Sequence, residues 1–178
     1  MKIKLTRFKG LKVFQGKTYL DSRGAFRELF LKNKTQSFQS IFWCMSKSKK
    51  NVIRGLHIQK RINQAKFVSV VKGRIFDVAL DLRKNSKTFG KIFKIVLSEK
   101  NCLSLYIPEG FAHAYYSYEK SNIIYYKLTN YYKPKFEDGI NLLDNTFKIK
   151  WPKKKLNISK KDKNLGSFKD FIKNYKFL

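Results

Sequence analysis

Histidine is scarce in this 178-residue chain, which has only His57 and His113. Cysteine is as rare, and Cys44 and Cys102 alone build neither a disulfide scaffold nor a zinc site, so a reducing compartment is expected. No apolar run approaches the roughly 20 residues of a membrane span. The opening "MKIKLTRFKG" lacks the apolar centre of a signal peptide, which makes the expected location cytoplasmic with no membrane partner. Repeats, low-complexity segments and linkers are missing as well. The length suits one core rather than two, so residues 1–178 read as a single domain.

Acidic residues are also few, 12 against 40 basic ones, for a net charge of +28. Such a charge raises the possibility of a nucleic-acid-binding β-domain. The basic residues are nearly all lysines scattered from Lys2 to Lys176, with only seven arginines to fork onto phosphate or guanine. That distribution reads as a solvated lysine surface with no nucleic-acid partner, although it would steer an acidic ligand such as a nucleotide diphosphate.

What the chain has in quantity is aromatic residues, with sixteen Phe and ten Tyr, and these favour pleated, half-buried surfaces. Apolar positions recur with a period of two. In "RIFDVALDL", Phe76, Val78, Leu80 and Leu82 share one face while Ile75, Asp77, Ala79 and Asp81 share the other. "KFVSVV" reads as the hairpin partner of that strand through Lys72-Gly73, and "KIFKIVL", "CLSLYI" and "NIIYYKL" add three more strands. Close spacing of short strands predicts a mostly β sandwich or barrel. Helical period is confined to "SFKDFIKNYKFL", where Ser167 is the expected N-cap and Phe168, Phe171, Ile172 and Tyr175 form an apolar stripe.

Both histidines follow glycine-bearing segments. His57 comes after an expected Arg-Gly-Leu turn in "VIRGLHIQ", and His113 follows the Pro-x-Gly corner of "YIPEGFAHAYYSY". In "NIIYYKL", Tyr126 shares its face with Ile124 and Leu128 and is expected to point into the barrel.

Six blocks stand in a recognisable order: "DSRGAFRELF", "SKSKKNVIRGLHIQ", "QAKFVSVVKGRIFDVALDLRKNSKTFG", "IPEGFAHAYY", "YYKLTNYYKPKFEDGINLLDNTFKIKWP" and "ISKKDKNLGSF". On these the chain resembles the dTDP-4-dehydrorhamnose 3,5-epimerase family of the cupin superfamily, from about residue 15 to residue 168. The resemblance implies a cupin-type jelly roll with short peripheral helices, including one at the C-terminus. It implies epimerisation at C3, C5 or both of a nucleotide-linked 4-keto sugar through an enolate, for cell-surface polysaccharide synthesis. The nucleotide could be dTDP or GDP. It also implies a homodimer, to which the apolar region around "KVFQGKTYL" independently points.

Carried over by position, His57 is the implied base in a dyad with Asp162. Lys66, Asp77 and His113 line the keto-sugar pocket, and Tyr126 is the acid on the opposite face. Arg23, Phe26, Glu28 and Arg54 fall at nucleotide or diphosphate positions, some reaching across a dimer interface. Gln59 and Tyr132 are further substrate-binding positions. The residue types suit the chemistry: an enolate oxygen needs positioned charge such as Lys66, and a histidine base needs a carboxylate to fix its tautomer. The metal-binding pattern of many cupins, a His-x-His pair with a later Glu and His, is one histidine short at His57-Ile58-Gln59, so no metal and no cofactor are expected. Where the family commonly has Gln-x-Asn the chain has Phe42-Trp43-Cys44, and Leu142-Leu143 replaces a common Trp-Asn, so the substrate wall differs. A cupin sugar ketoisomerase or an inactive sugar-nucleotide-binding homologue is the alternative reading.

Overall fold

The computed structural model describes residues 1–35, 38–153 and 155–174. In chain order its strands are β1 (Lys2–Leu5), β2 (Lys12–Gln15), β3 (Thr18–Asp21), β4 (Gly24–Arg27), β5 (Phe42–Ser48), β6 (Ile53–Gln59) and β7 (Lys66–Lys72). They continue as β8 (Arg74–Asp81), β9 (Ile92–Ser98), β10 (Leu103–Ile107), β11 (Phe111–Ser117), β12 (Asn122–Leu128) and β13 (Glu137–Gly139). Two short helices follow, α1 (Lys160–Lys163) and α2 (Phe168–Asn174).

Two antiparallel sheets make a cupin-type jelly-roll sandwich, one ordered β1-β2-β10-β7-β12-β5 and the other β13-β6-β11-β8-β9, while β3 and β4 form a separate hairpin. Val68, Val70, Leu105 and Ile124 of the first sheet meet Ile75, Ala79, Leu97, Phe111 and Tyr115 of the second in a shared core. The outer face of the second sheet is covered too, because Ile140, Leu142, Phe147, Trp151, Phe168 and Phe171 lie on Ile53, Val78, Leu80, Ala114 and Tyr116. The two faces of "RIFDVALDL" are therefore sorted as the period predicts, yet both are buried. Ser167 Oγ accepts from the Asp170 amide at 3.1 Å and so caps α2 as expected. Of that helix's predicted apolar stripe, Tyr175 lies outside the described residues.

Two local expectations are corrected. β7 and β8 are not a hairpin: β7 pairs with β10 and β12, whereas β8 pairs with β9 and β11. Gly73 carries the chain from one sheet to the other at φ +82°, and a Cβ there would stand 2.6 Å from Asn122 Oδ1 and 2.7 Å from the Ser121 carbonyl oxygen. Asn122 Oδ1 also accepts from the Arg74 amide at 3.0 Å, which fixes the corner from its far side.

The second correction is that Arg54-Gly55-Leu56 is a β-bulge inside β6 and not a turn. His57 pairs with His113 and Arg54 with Tyr115, so two residues of β6 stand opposite Ala114 alone. Only glycine fits there. Gly55 has φ +123°, and a Cβ would lie 2.4 Å from the Ala114 Cβ and 2.5 Å from the His113 carbonyl oxygen.

Candidate active site

The bulge decides where His57 points. In a regular strand, residues three apart face opposite sides of the sheet; the extra residue brings Arg54 and His57 to the same side. Both line a cavity of about 270 Å³ between the sheets. His113 joins them from the neighbouring strand, directly across from His57. The facing sheet contributes Lys66 at the start of β7, Tyr126 and Leu128 of β12, and Phe42 and Cys44 of β5. Gln59, Tyr132 and Glu137 close one side. A second cleft of about 280 Å³ shares Ile58, Gln59, Gln64 and Lys66 with this cavity and extends to Arg83 and Glu109, but neither histidine reaches it.

Each histidine is backed by a buried carboxylate. His57 Nε2 lies 2.8 Å from Asp162 Oδ1, and the other Asp162 oxygen accepts from the Gly55 amide at 3.3 Å. The four-residue α1 holds that aspartate, capped by Ser159, whose Oγ accepts from the Asp162 amide at 3.0 Å. Burial pushes the Asp162 carboxyl up, but the hydrogen bonds from His57, Gly55 and Ser159 together with the His57 charge outweigh it and hold the group below its ordinary range. The remaining ring nitrogen, Nδ1, lies 3.7 Å from Glu137 Oε1. His113 Nε2 lies 2.8 Å from Asp77 Oδ2, and Asp77 is fully buried, so it sits behind His113 rather than on the cavity wall.

Across the cavity, burial lowers the Lys66 ammonium to about 8, while the Asp77 carboxylate resists the fall. Burial, with Tyr115 and Asp77 nearby, holds the Tyr126 phenol well above its usual range, and a hydrogen bond from Ser46 pulls the other way. Tyr126 packs against the shared core beside Ile124, on the face that its alternation predicts. Such a phenol keeps its proton at neutral pH and can release it to a strong carbon base such as an enolate. Among the described residues no group of three or more His, Cys, Asp or Glu could hold a metal ion, so the donor set does not fit the metal-binding cupin pattern.

The predicted site residues thus divide. His57, Lys66, His113, Tyr126, Arg54, Gln59 and Tyr132 line the cavity, with Asp162 and Asp77 behind them. The Gln59 amide is engaged with the neighbouring loop, donating to the Tyr131 carbonyl at 3.0 Å and accepting from the Lys133 amide at 3.2 Å. Arg23, Phe26 and Glu28 do not line the cavity of their own chain. Arg23 pairs with Asp21, Phe26 is 71% exposed, and Glu28 faces the N-terminal amine at 3.6 Å.

Sequence reasoning missed Glu137, which accepts from the Tyr132 hydroxyl at 2.9 Å and contacts Lys161 as well as His57. It also missed Tyr115, which bridges Ser46 and Ser48 at 3.0 and 2.9 Å. Period-two spacing could have found the Tyr115 cluster, since Ser46 and Ser48 follow Cys44 on one face and Tyr115 follows His113 on another.

Residues 5–170 match the family model described as dTDP-4-dehydrorhamnose 3,5-epimerase. A protein of that name from Methanothermobacter thermautotrophicus is 37% identical over 166 residues, covering 89% of this chain and 90% of the relative. The crystal structure of the Elizabethkingia anophelis dTDP-4-dehydrorhamnose 3,5-epimerase superposes with a TM-score of 0.89 at 37% identity, over 98% of this chain and 99% of that one. A Legionella pneumophila dTDP-6-deoxy-D-glucose-3,5-epimerase, solved in complex with dTDP-4-keto-L-rhamnose, gives 0.88 at 37% identity over 93% and 92% of the two chains. With the site geometry, these matches establish that the chain belongs to the dTDP-4-dehydrorhamnose 3,5-epimerase family of sugar-nucleotide isomerases.

Proposed function

We propose that the cavity inverts C3, C5 or both of a dTDP-linked 4-keto-6-deoxy sugar, with His57 as base and Tyr126 as acid. The observation that carries this reading is that His57 and Tyr126 enter one cavity from opposite sheets, with Lys66 on its wall. His57 Nε2 is engaged by Asp162, which leaves Nδ1 free to take the proton from the carbon beside the ketone. The electron pair moves to the ketone oxygen, where the Lys66 ammonium meets the developing charge. Tyr126 then gives its proton to the opposite face, the carbonyl re-forms, and the centre is inverted. Asp162 and Glu137 flank the imidazolium formed in the first step.

Arg54, which lines the cavity, holds the diphosphate in this reading. The remaining nucleotide contacts come, in this reading, from a second copy of the chain. The β3–β4 hairpin displays Leu20 at 79% and Phe26 at 71% exposure, more apolar surface than a lone subunit gains by leaving in water, and it carries Arg23 outside its own cavity. A homodimer in which each hairpin completes the partner's site accounts for both facts. Two free, half-buried cysteines are consistent with a cytoplasmic enzyme.

The test is incubation with the dTDP-4-keto sugar in D₂O, following deuterium at C3 and C5 by NMR. His57→Ala should lose exchange at each epimerisable carbon, by at least about 10²-fold. Tyr126→Phe should keep exchange and lose inversion, because the enolate forms and is reprotonated from the side that opened it. Normal inversion by Tyr126→Phe, or near wild-type exchange by His57→Ala, would overturn these roles.

A further inference from the structure

Tyr126 gives up a proton from a buried position, and the tyrosinate left behind must be stabilised by something other than water. We propose that Ser48, Tyr115 and Ser46 form a one-way hydrogen-bond chain that runs from the Arg54 guanidinium to the Tyr126 oxygen and stabilises this tyrosinate. The inference rests on the assignment of Tyr126 as the acid.

The distances define the chain: Arg54 Nε to Ser48 Oγ 3.3 Å, Ser48 Oγ to Tyr115 Oη 2.9 Å, Tyr115 Oη to Ser46 Oγ 3.0 Å, and Ser46 Oγ to Tyr126 Oη 3.4 Å. The proposed direction is the one in which each hydroxyl donates toward Tyr126, starting from the one contact whose donor is fixed. A guanidinium Nε–H can only donate, so Ser48 accepts from Arg54, and in this direction its single hydrogen goes to Tyr115. Tyr115 then has one hydrogen left for Ser46, and Ser46 has one for Tyr126. Every O–H in the series points toward the acid, and its far end is a permanent cation. The Tyr126 hydrogen is thereby left free to face the substrate.

In the step itself the Tyr126 O–H bond breaks, the new C–H bond forms, and the enolate electrons return to the carbonyl. The negative charge moves from the enolate oxygen to the tyrosine oxygen, where the aligned chain receives it. The last contact is long at rest and would shorten as charge builds, as catalytic hydrogen bonds often do. Tyr115 and Ser48 are each 3% exposed, so water cannot substitute for them. Ser46 and Tyr115 are positioning residues in this scheme, since neither touches the reacting carbon.

The test uses Ser46→Ala, Tyr115→Phe and Ser46→Thr in the D₂O assay, with Tyr126→Phe alongside. Expected is a fall in inversion of about ten- to a hundredfold in Ser46→Ala, the size of one hydrogen bond to a charged group. Tyr115→Phe should fall less, exchange should stay within about threefold in both, KM should barely move, and Ser46→Thr should restore inversion. Unchanged inversion in Ser46→Ala and Tyr115→Phe, with Tyr126→Phe inactive, would overturn the chain and leave the acid assignment standing. Parallel loss of exchange and inversion would also overturn it, by showing a merely structural role. If Tyr126→Phe inverts normally, the acid assignment fails first and the chain has nothing to serve.

Discussion

Replacing Asp162 by Asn exchanges one carboxylate oxygen for an NH₂ at almost no change in volume, so it isolates the electrostatics and hydrogen bonding of the dyad. Both carboxylate oxygens accept in the structure, one from His57 Nε2 at 2.8 Å and one from the Gly55 amide at 3.3 Å. An amide has a single accepting oxygen. If that oxygen stays with His57, the new NH₂ meets the Gly55 N–H donor to donor, at the bulge that aims the ring. If it turns to Gly55, the NH₂ donates to Nε2, the ring proton shifts to Nδ1, and the nitrogen facing the cavity can no longer accept. Either arrangement also removes the buried charge that steadies the imidazolium. The same replacement behind a catalytic histidine elsewhere costs about 10⁴ in turnover, through the wrong tautomer. Here Glu137 remains 3.7 Å from Nδ1, so a loss of about 10² to 10³ is expected, in exchange and inversion alike. The readout is deuterium incorporation at C3 and C5, with the thermal midpoint as the control for folding. Exchange within about threefold of wild type in a fully folded variant would refute the argument that Asp162 orients and charges the base.

Activity should fall as pH rises through about 8, where Lys66 loses the proton that meets the enolate, while stability at this residue moves the other way. A lysine whose folded value lies below its unfolded one favours the fold as pH climbs from about 8 toward the ordinary lysine range, so a pH–rate profile and a melting series should diverge there. Gly55→Ala should lower the melting temperature, costing about 1–3 kcal/mol from the backbone alone, and abolish exchange; a variant with unchanged midpoint and activity would contradict the bulge argument. Mixing inactive Arg23→Gln and His57→Ala subunits should restore about a quarter of wild-type activity if hairpins are shared, because half of randomly formed dimers hold one intact site. No recovery after verified exchange of subunits would count against a shared site.

Much of this architecture is legible in the residues, for reasons that set the boundary of such reading. Alternation assigns Tyr126 to the inner face and sorts the two sides of β8, because period two is a local property of extended chain. The supposed hairpin at Lys72-Gly73 fails because a glycine corner looks the same whether the chain returns beside itself or crosses to another sheet; only the pairing of β8 with β11 decides. The Arg-Gly-Leu segment fails similarly, since a bulge is defined by its partner strand, here Ala114. Glu137 reads as one acid in a glycine-bearing loop until β13 pairs with β6 and sets Gly139 across from His57.

The His57–Asp162 contact joins residues 105 positions apart, and its carboxylate comes from the segment that also covers the outer face of the second sheet. During synthesis the ribosome releases the base long before its partner, and both sheets can pair while the dyad is still open. The enzyme therefore becomes competent late, when the C-terminal layer docks. Catalytic competence thus reports whether that layer has docked.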